Sequence, residues 1–115
     1  MRIEEYKWKN RVLLIFAPDQ NNAHLSEQSG EIGRNMQGMR ERDLMVLELT
    51  PLGKHAGQRK ELLAKFDVED SAYTLILLGK DGLEKYRSQQ PVPMEEIFKI
   101  IDQMPMRRQE MRKQE

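Results

Sequence analysis

Three short and almost wholly apolar runs constrain this chain more than any other feature. They occupy residues 11–17 (RVLLIFA), 44–49 (LMVLEL) and 73–78 (YTLILL). A strand that is apolar at successive positions, rather than at every second one, must be covered on both faces. Pro18 follows the first run, and the residue before a proline favours extended backbone, so that strand is predicted to end there. The chain therefore needs a sheet with helices on both sides.

The segments between the strands supply those helices. Residues 21–42 and 58–66 carry apolar side chains at helical spacing, and residues 93–104 (PMEEIFKIIDQM) do so most clearly. Three glycines in the first segment predict a helix that is frayed or broken near its middle. Pro105 is predicted to end or kink the last helix.

A fourth strand completes the topology. Residues 79–82 (GKDG) form a hairpin turn signal, and residues 83–88 (LEKYRS) are polar enough for an edge position. A right-handed crossover makes the first two strands parallel. The predicted fold is α/β, with a four-stranded mixed sheet of order 2-1-3-4, helices on both faces and the element order βαβαββα. This arrangement is the core of the thioredoxin fold.

The length of 115 residues predicts one domain, residues 1–105, followed by a charged C-terminal tail, residues 106–115. No apolar run is long enough for a signal peptide or a membrane span. We therefore expect a soluble cytoplasmic protein, with export through a leader absent from this sequence as the alternative.

Charge and composition exclude several functions. With 19 basic and 19 acidic residues, the chain has no net charge that would attract nucleic acid or a membrane. The absence of cysteine rules out disulfides, thiolate metal sites, thiol–disulfide exchange and thiol peroxidase chemistry. His24 and His55 lack partners at metal-ligand spacing, and no phosphate-binding loop occurs. We therefore expect no metal, no cofactor and no catalytic residue.

Four polar residues follow the first strand, where the first helix begins: Asp19, Asn21, Asn22 and His24. Asp and Asn at a helix start cap backbone N–H groups, which is worth roughly 1 kcal/mol, and this is the preferred interpretation. The same place can hold an anion or a substrate carboxylate. The alternative is therefore an enzyme or small-anion site, which requires these side chains to converge on one pocket.

Several segments resemble a known family: YKWKNRVLLIFAP, RDLMVLEL, LILLGKDGLEKYRS and IDQMPMRRQEM. The family is a bacterial group of domains of unknown function, similar to modules in vertebrate sushi-repeat-containing extracellular proteins and in a coiled-coil-domain-containing matrix protein. The resemblance covers about residues 6–112 and implies a thioredoxin- or peroxiredoxin-like fold without established activity. It carries no catalytic residue over, because residues 19–22 (DQNN) stand where thioredoxins have cysteines, and residues 71–74 (SAYT) where they have a cis-proline.

The tail supplies a second group of candidates: Met106, Arg107, Arg108, Glu110 and Met111. One interpretation is a solvated helical continuation with ion pairs of small value. The other is a partner-binding segment, since methionines are adaptable apolar contacts and arginines suit carboxylates. The function expected from the sequence is a non-catalytic interaction or scaffold module with a protein partner bound through this segment.

Overall fold

The computed structural model describes residues 3–113. The strands are β1 (Arg11–Phe16), β2 (Leu44–Leu49), β3 (Thr74–Leu78) and β4 (Glu84–Ser88). The helices are α1 (Ala23–Gly33), α2 (Met36–Glu41), α3 (Ala56–Lys65), α4 (Met94–Asp102) and α5 (Pro105–Lys113). A short 3₁₀ turn, Ile3–Tyr6, precedes β1. In the described range, no helix is both long enough and apolar enough to cross a bilayer.

The sheet has the predicted strand order, β2-β1-β3-β4. β1 runs parallel to β2 and antiparallel to β3, and β3 pairs with β4 in the antiparallel direction. The central Leu14 is paired with Leu47 on one side and with Ile76 on the other. The predicted fold class, a mixed four-stranded α/β sheet with helices on both faces, is confirmed. β2 and β4 form its two edges.

Alternating side chains of β1 feed two apolar layers, one on each face of the sheet. Leu13 belongs to the layer that contains Ile97 of α4 and residues of α1 and α2. Leu14 belongs to the opposite layer, which contains Leu62 of α3. Every residue of β1 is buried, which explains why this strand is apolar at successive positions.

The predicted break in the first helix lies at Arg34 and Asn35, between α1 and α2. The Asn35 side-chain amide donates to the Glu31 carbonyl at 2.7 Å, so this side chain competes with the backbone as a helical donor. α2 then meets α4 at Gly38, where an added Cβ would lie 2.6 Å from a ring carbon of Phe98. A larger residue here would push the two helices apart.

The C-terminal segment differs from the expected one. α4 ends at Asp102, and Pro105 is the first residue of a further helix, α5. Proline is tolerated there because the first turn of a helix does not need the backbone N–H that proline lacks. Arg107 in α5 is only 5% exposed. The interpretation of residues 106–115 as a solvated segment is therefore wrong for Arg107, which is buried and forms an ion pair with Asp102. The domain boundary at residue 105 stays a prediction. Residues 114–115 of the predicted tail lie outside the described range.

Candidate functional site

The junction between β1 and α1 uses its polar side chains for local structure. The Asn21 backbone N–H donates to Asp19 Oδ1 at 2.8 Å. Asn22 is the N-cap of α1, and its Oδ1 accepts a hydrogen bond from the Leu25 N–H at 3.1 Å. Such bonds satisfy donors that the start of a helix leaves open. The capping interpretation is therefore confirmed for Asn22.

His24 lies beside this junction, and its ring contacts Tyr73. The ring centroids are 5.4 Å apart with an interplanar angle of 68°, an edge-on arrangement. The groove of about 510 Å³ next to α1 is lined by other residues: Gln20, Leu25, Ile32, Val46, Glu48, Thr50, Gly53, Lys54 and His55. An enzyme site built from the four candidates after β1 requires their side chains to converge on one pocket. None of the four lines this groove.

Tyr73 is held by Gln28, a fully buried residue that sequence reasoning missed. The Tyr73 hydroxyl donates to Gln28 Oε1 at 3.3 Å, and the Val92 N–H donates to the same oxygen at 2.7 Å. Burial raises the pKa of Tyr73, and the negative charges of Glu27 and Glu48 add to the shift, so the hydroxyl stays a donor. No local pattern marks Gln28, because Val92 lies 64 residues further along the chain.

Arg59, also missed, fastens three loops at this end of the sheet. Its Nε donates to the Leu49 carbonyl at 3.1 Å, and its Nη2 donates to the Ala17 and Asp70 carbonyls at 3.2 and 2.9 Å. Leu49 is the last residue of β2, Ala17 directly follows β1, and Asp70 precedes β3. The planar guanidinium offers several donors in a fixed fork, which suits a site where three carbonyls meet. This end of the sheet is thus closed by a buried cation.

The opposite end of the sheet carries an ion-pair cluster that joins four cations to three acids: Arg11, Arg42, Lys80 and Arg107 with Asp43, Asp102 and Glu110. Arg11, buried at the start of β1, donates from both terminal nitrogens to the two Glu110 oxygens, each at 3.2 Å. Lys80, which follows β3, donates to Glu110 at 2.7 Å and to Asp43 at 3.0 Å. Glu110 therefore attaches α5 to the start of β1 and to the turn after β3.

Asp102 forms the second attachment point of the cluster. Arg42 donates to both of its carboxylate oxygens, at 3.0 and 2.9 Å, and Arg107 donates to Oδ1 at 3.0 Å. The Arg42 guanidinium also lies 4.2 Å from the centroid of the Phe98 ring. Arg107 thus connects α5 to the end of α4.

The cluster divides the candidate residues of the C-terminal segment. Arg107 and Glu110 bind partners within the molecule. Met106 and Arg108 are exposed, and Met111 is half-buried. Sequence reasoning singled out Arg107 and Glu110 but assigned them to an external partner. Partner binding by α5 stays a prediction, and it now depends on Met106, Arg108 and Met111.

The contacts in the cluster set the charge of its acids. Burial raises the pKa of Glu110, but hydrogen bonds from Lys80 and Arg11 outweigh it, and the net pKa lies below its ordinary value of 4.5. Burial also raises the pKa of Asp102, but hydrogen bonds from Arg42 and Arg107 and their positive charges lower it, and the net pKa lies below its ordinary value of 3.8. Both acids are therefore ionised at neutral pH.

Acid is expected to weaken the attachment of α5. Because the folded pKa values of Glu110 and Asp102 are lowered, their pairs stabilise the fold fully above about pH 4.5, and this stability is lost as the pH falls through the lowered values. The urea midpoint should fall between about pH 5 and pH 3. Glu110→Gln should flatten that fall, whereas Glu95→Gln, at a side chain 81% exposed, should not. An equally steep fall in Glu110→Gln would contradict this assignment.

Solved structures with the same fold are similar to the chain over most of its length. A reduced 2-Cys peroxiredoxin of Plasmodium vivax aligns with a TM-score of 0.72 and 14% identity, covering 93% of this chain and 84% of that one. Thioredoxin-2, described as a component of the malaria parasite protein secretion machinery, aligns with a TM-score of 0.62 and 20% identity, covering 83% and 84%. These likenesses show a thioredoxin- and peroxiredoxin-like fold.

Sequence relatives include a protein of vertebrates. The sushi repeat-containing protein SRPX2 of Homo sapiens is 27% identical over 120 residues, which is 95% of this chain and 26% of the relative. The Xenopus laevis protein of the same name is 25% identical over 111 residues, covering 87% and 24%. The chain thus spans about a quarter of the length of these relatives.

A family model matches nearly the whole chain, from residue 2 to residue 110. The match includes all four strands, the β1–α1 junction and the residues of the ion-pair cluster. It agrees with the resemblance carried by the segments quoted above. The chain therefore belongs to the family described as Domain of unknown function (DUF4174).

Proposed function

We propose that this chain is a non-catalytic thioredoxin-like module that acts by binding a protein partner. The observation that carries the proposal is the β1–α1 junction, where Asn22 caps the helix and no cysteine is present. Arg59 closes the adjoining loops through their carbonyl groups. This end of the sheet thus lacks the thiol nucleophile of thioredoxin chemistry, and internal hydrogen bonds join its loops. A fold kept without its usual chemistry is suited to presenting surfaces.

The sequence relatives support a modular role. Their name describes sushi repeat-containing proteins, and the similarity with this chain is confined to about a quarter of their length. In those proteins the matching segment therefore accompanies other segments in one polypeptide. A domain combined in this way contributes contacts to an assembly, and we assign the same kind of role to this chain.

The proposal is tested with the purified chain. Reduction of insulin by dithiothreitol and consumption of hydrogen peroxide should both proceed at the rates of protein-free blanks, because the chain has no thiol. Photo-crosslinking in a lysate of the native cell should identify a partner. The two purified proteins should then form a complex of fixed stoichiometry in isothermal titration calorimetry. Turnover above the blank, or the absence of any such complex, would count against the module.

A further inference from the structure

β2 forms one edge of the sheet, and half of its backbone groups face away from β1. The Asp43 and Leu49 carbonyls accept hydrogen bonds from the Arg11 and Ala17 N–H groups, at 2.9 and 3.2 Å, so odd-numbered residues here face β1. Backbone direction alternates along a strand. The residues that face outwards are therefore Leu44, Val46 and Glu48. Among residues 3–113, no hydrogen bond reaches the backbone groups of these three.

The other edge, β4, is built differently. Three of its five residues are charged. Arg87 pairs with Glu84 at 2.8 Å, and Lys85 pairs with Asp81 at 2.9 Å. Charged side chains on an edge oppose pairing with a further strand. β2 has Glu48 as its single charged residue, and its other residues are apolar. Of the two edges, β2 is the one suited to accept another strand.

A groove of about 510 Å³ lies along this edge on the α1 face of the sheet. Leu25 and Ile32 of α1 line it together with Val46 and Glu48 of β2. A strand added to β2 would direct every second side chain to this face. The open edge and the groove are thus parts of one surface, which can bind both the backbone and the side chains of an extended segment.

Glu48 sets the charge that this surface prefers. Its Oε1 accepts a hydrogen bond from the Ser29 hydroxyl at 3.1 Å, and within the described range it has no ion-pair partner. Lys54 also lines the groove, from the loop after β2. Directly opposite Glu48, a lysine or arginine would form a favourable cross-strand pair.

We propose that the outer edge of β2 binds an extended segment of a partner protein as a further strand, with an apolar side chain opposite Val46 and a lysine or arginine opposite Glu48. The inference rests on the proposed binding function and names its surface and partner chemistry. Backbone hydrogen bonds supply affinity in such complexes, and alternate side chains supply specificity. A second copy of this chain could instead add its own β2 in the antiparallel direction, with Val46 opposite Val46. Leu44 would then lie opposite Glu48, and the carboxylate would have no cation across the strands. A partner segment with a lysine or arginine therefore fits this edge better.

The probe is the blocked heptapeptide Thr-Lys-Thr-Val-Thr-Lys-Thr, which reads the same in both directions, and its counterpart with glutamate for lysine. Titrated into the ¹⁵N-labelled chain, the lysine peptide should shift the amide signals of residues 44–48 saturably and bind roughly fivefold more tightly than the glutamate peptide. Glu48→Lys should reverse that preference. Val46→Pro removes one outward N–H at an edge position, which tolerates proline, and should abolish binding.

Glu95→Lys makes the same charge reversal at an 81% exposed side chain of α4, and this matched control should leave both affinities unchanged. Shifts confined to residues outside 44–48, a lysine preference that survives Glu48→Lys, or no saturable binding would each overturn the proposal. Glu48→Lys still decides the matter if Val46→Pro fails to fold. If folded Val46→Pro still forms the complex with the native partner, the β2 edge is not the binding surface, although the proposed binding function stands. If the wild-type chain has no partner, the proposed binding function itself is wrong.

Discussion

Replacing Arg11 by methionine is expected to destabilise the domain by about 3 kcal/mol, because a buried ion pair loses one partner while the other stays. The Arg11 side chain is 1% exposed. It donates to the Arg42 carbonyl at 2.8 Å as well as to both Glu110 oxygens. Methionine fills much of the same volume but donates to none of these groups. The melting temperature should fall by roughly 12 °C.

Arg34→Met is the matched control, since it removes the same kind of side chain from an exposed pair. The Arg34 side chain is 70% exposed and pairs with Glu31 at 3.1 Å. Exposed pairs contribute about 1 kcal/mol or less. Urea unfolding followed by circular dichroism compares the two variants with the wild type. Equal losses in Arg11→Met and Arg34→Met would show that burial gives the cluster no special weight.

Arg59→Met should lower the free energy of unfolding by a similar amount, about 3 kcal/mol, but for a different physical reason. The guanidinium donates to the carbonyls of Ala17, Leu49 and Asp70. Leu49 keeps the Ala17 N–H as a donor, but the carbonyl of the buried Ala17 is left without one, which is destabilising. The largest changes in amide chemical shift should occur at those three residues, at the end of the sheet away from α5. Arg59→Lys should lose less, because an ammonium group can still donate to part of the set.

Lys60→Met is the control for this variant, because it removes a neighbouring cation that is exposed. We expect its free energy of unfolding to stay within about 0.5 kcal/mol of the wild-type value. An Arg59→Met protein that unfolds at the same urea concentration as Lys60→Met would show that the three loops do not need the guanidinium.

The fold was predictable because its strongest signals are local. Residues 11–17 and 73–78 are apolar at successive positions, and that pattern predicts buried strands wherever it occurs. The turn at residues 79–82 fixes the direction of β4. The break between α1 and α2 was expected from the glycines, although its position depends on the Asn35 side chain and on the approach to Phe98.

The interior polar residues were not predictable, because their roles depend on distant partners. Gln28 binds Val92, Arg59 binds loops on either side of it, and Arg11 binds Glu110. In the sequence Gln28 and Arg59 stand between polar neighbours, and Arg11 is the charged start of an apolar run, so no local pattern marks any of them as buried. The same limitation applied to residues 106–115. Their composition is typical of a solvated helix, and the burial of Arg107 depends on its ion pair with Asp102 on α4.

The pair between Arg11 and Glu110 joins residues 99 positions apart, and this separation bears on the order of folding. Closing so long a loop costs more chain entropy than closing the short loops between neighbouring elements. The pair should therefore form late, after the strands have assembled around β1. Contacts that are absent from the folding transition state act on the rate of unfolding. The ion-pair cluster is thus a determinant of how long the folded molecule persists, and Arg11→Met should show its loss in the unfolding limb of a chevron plot.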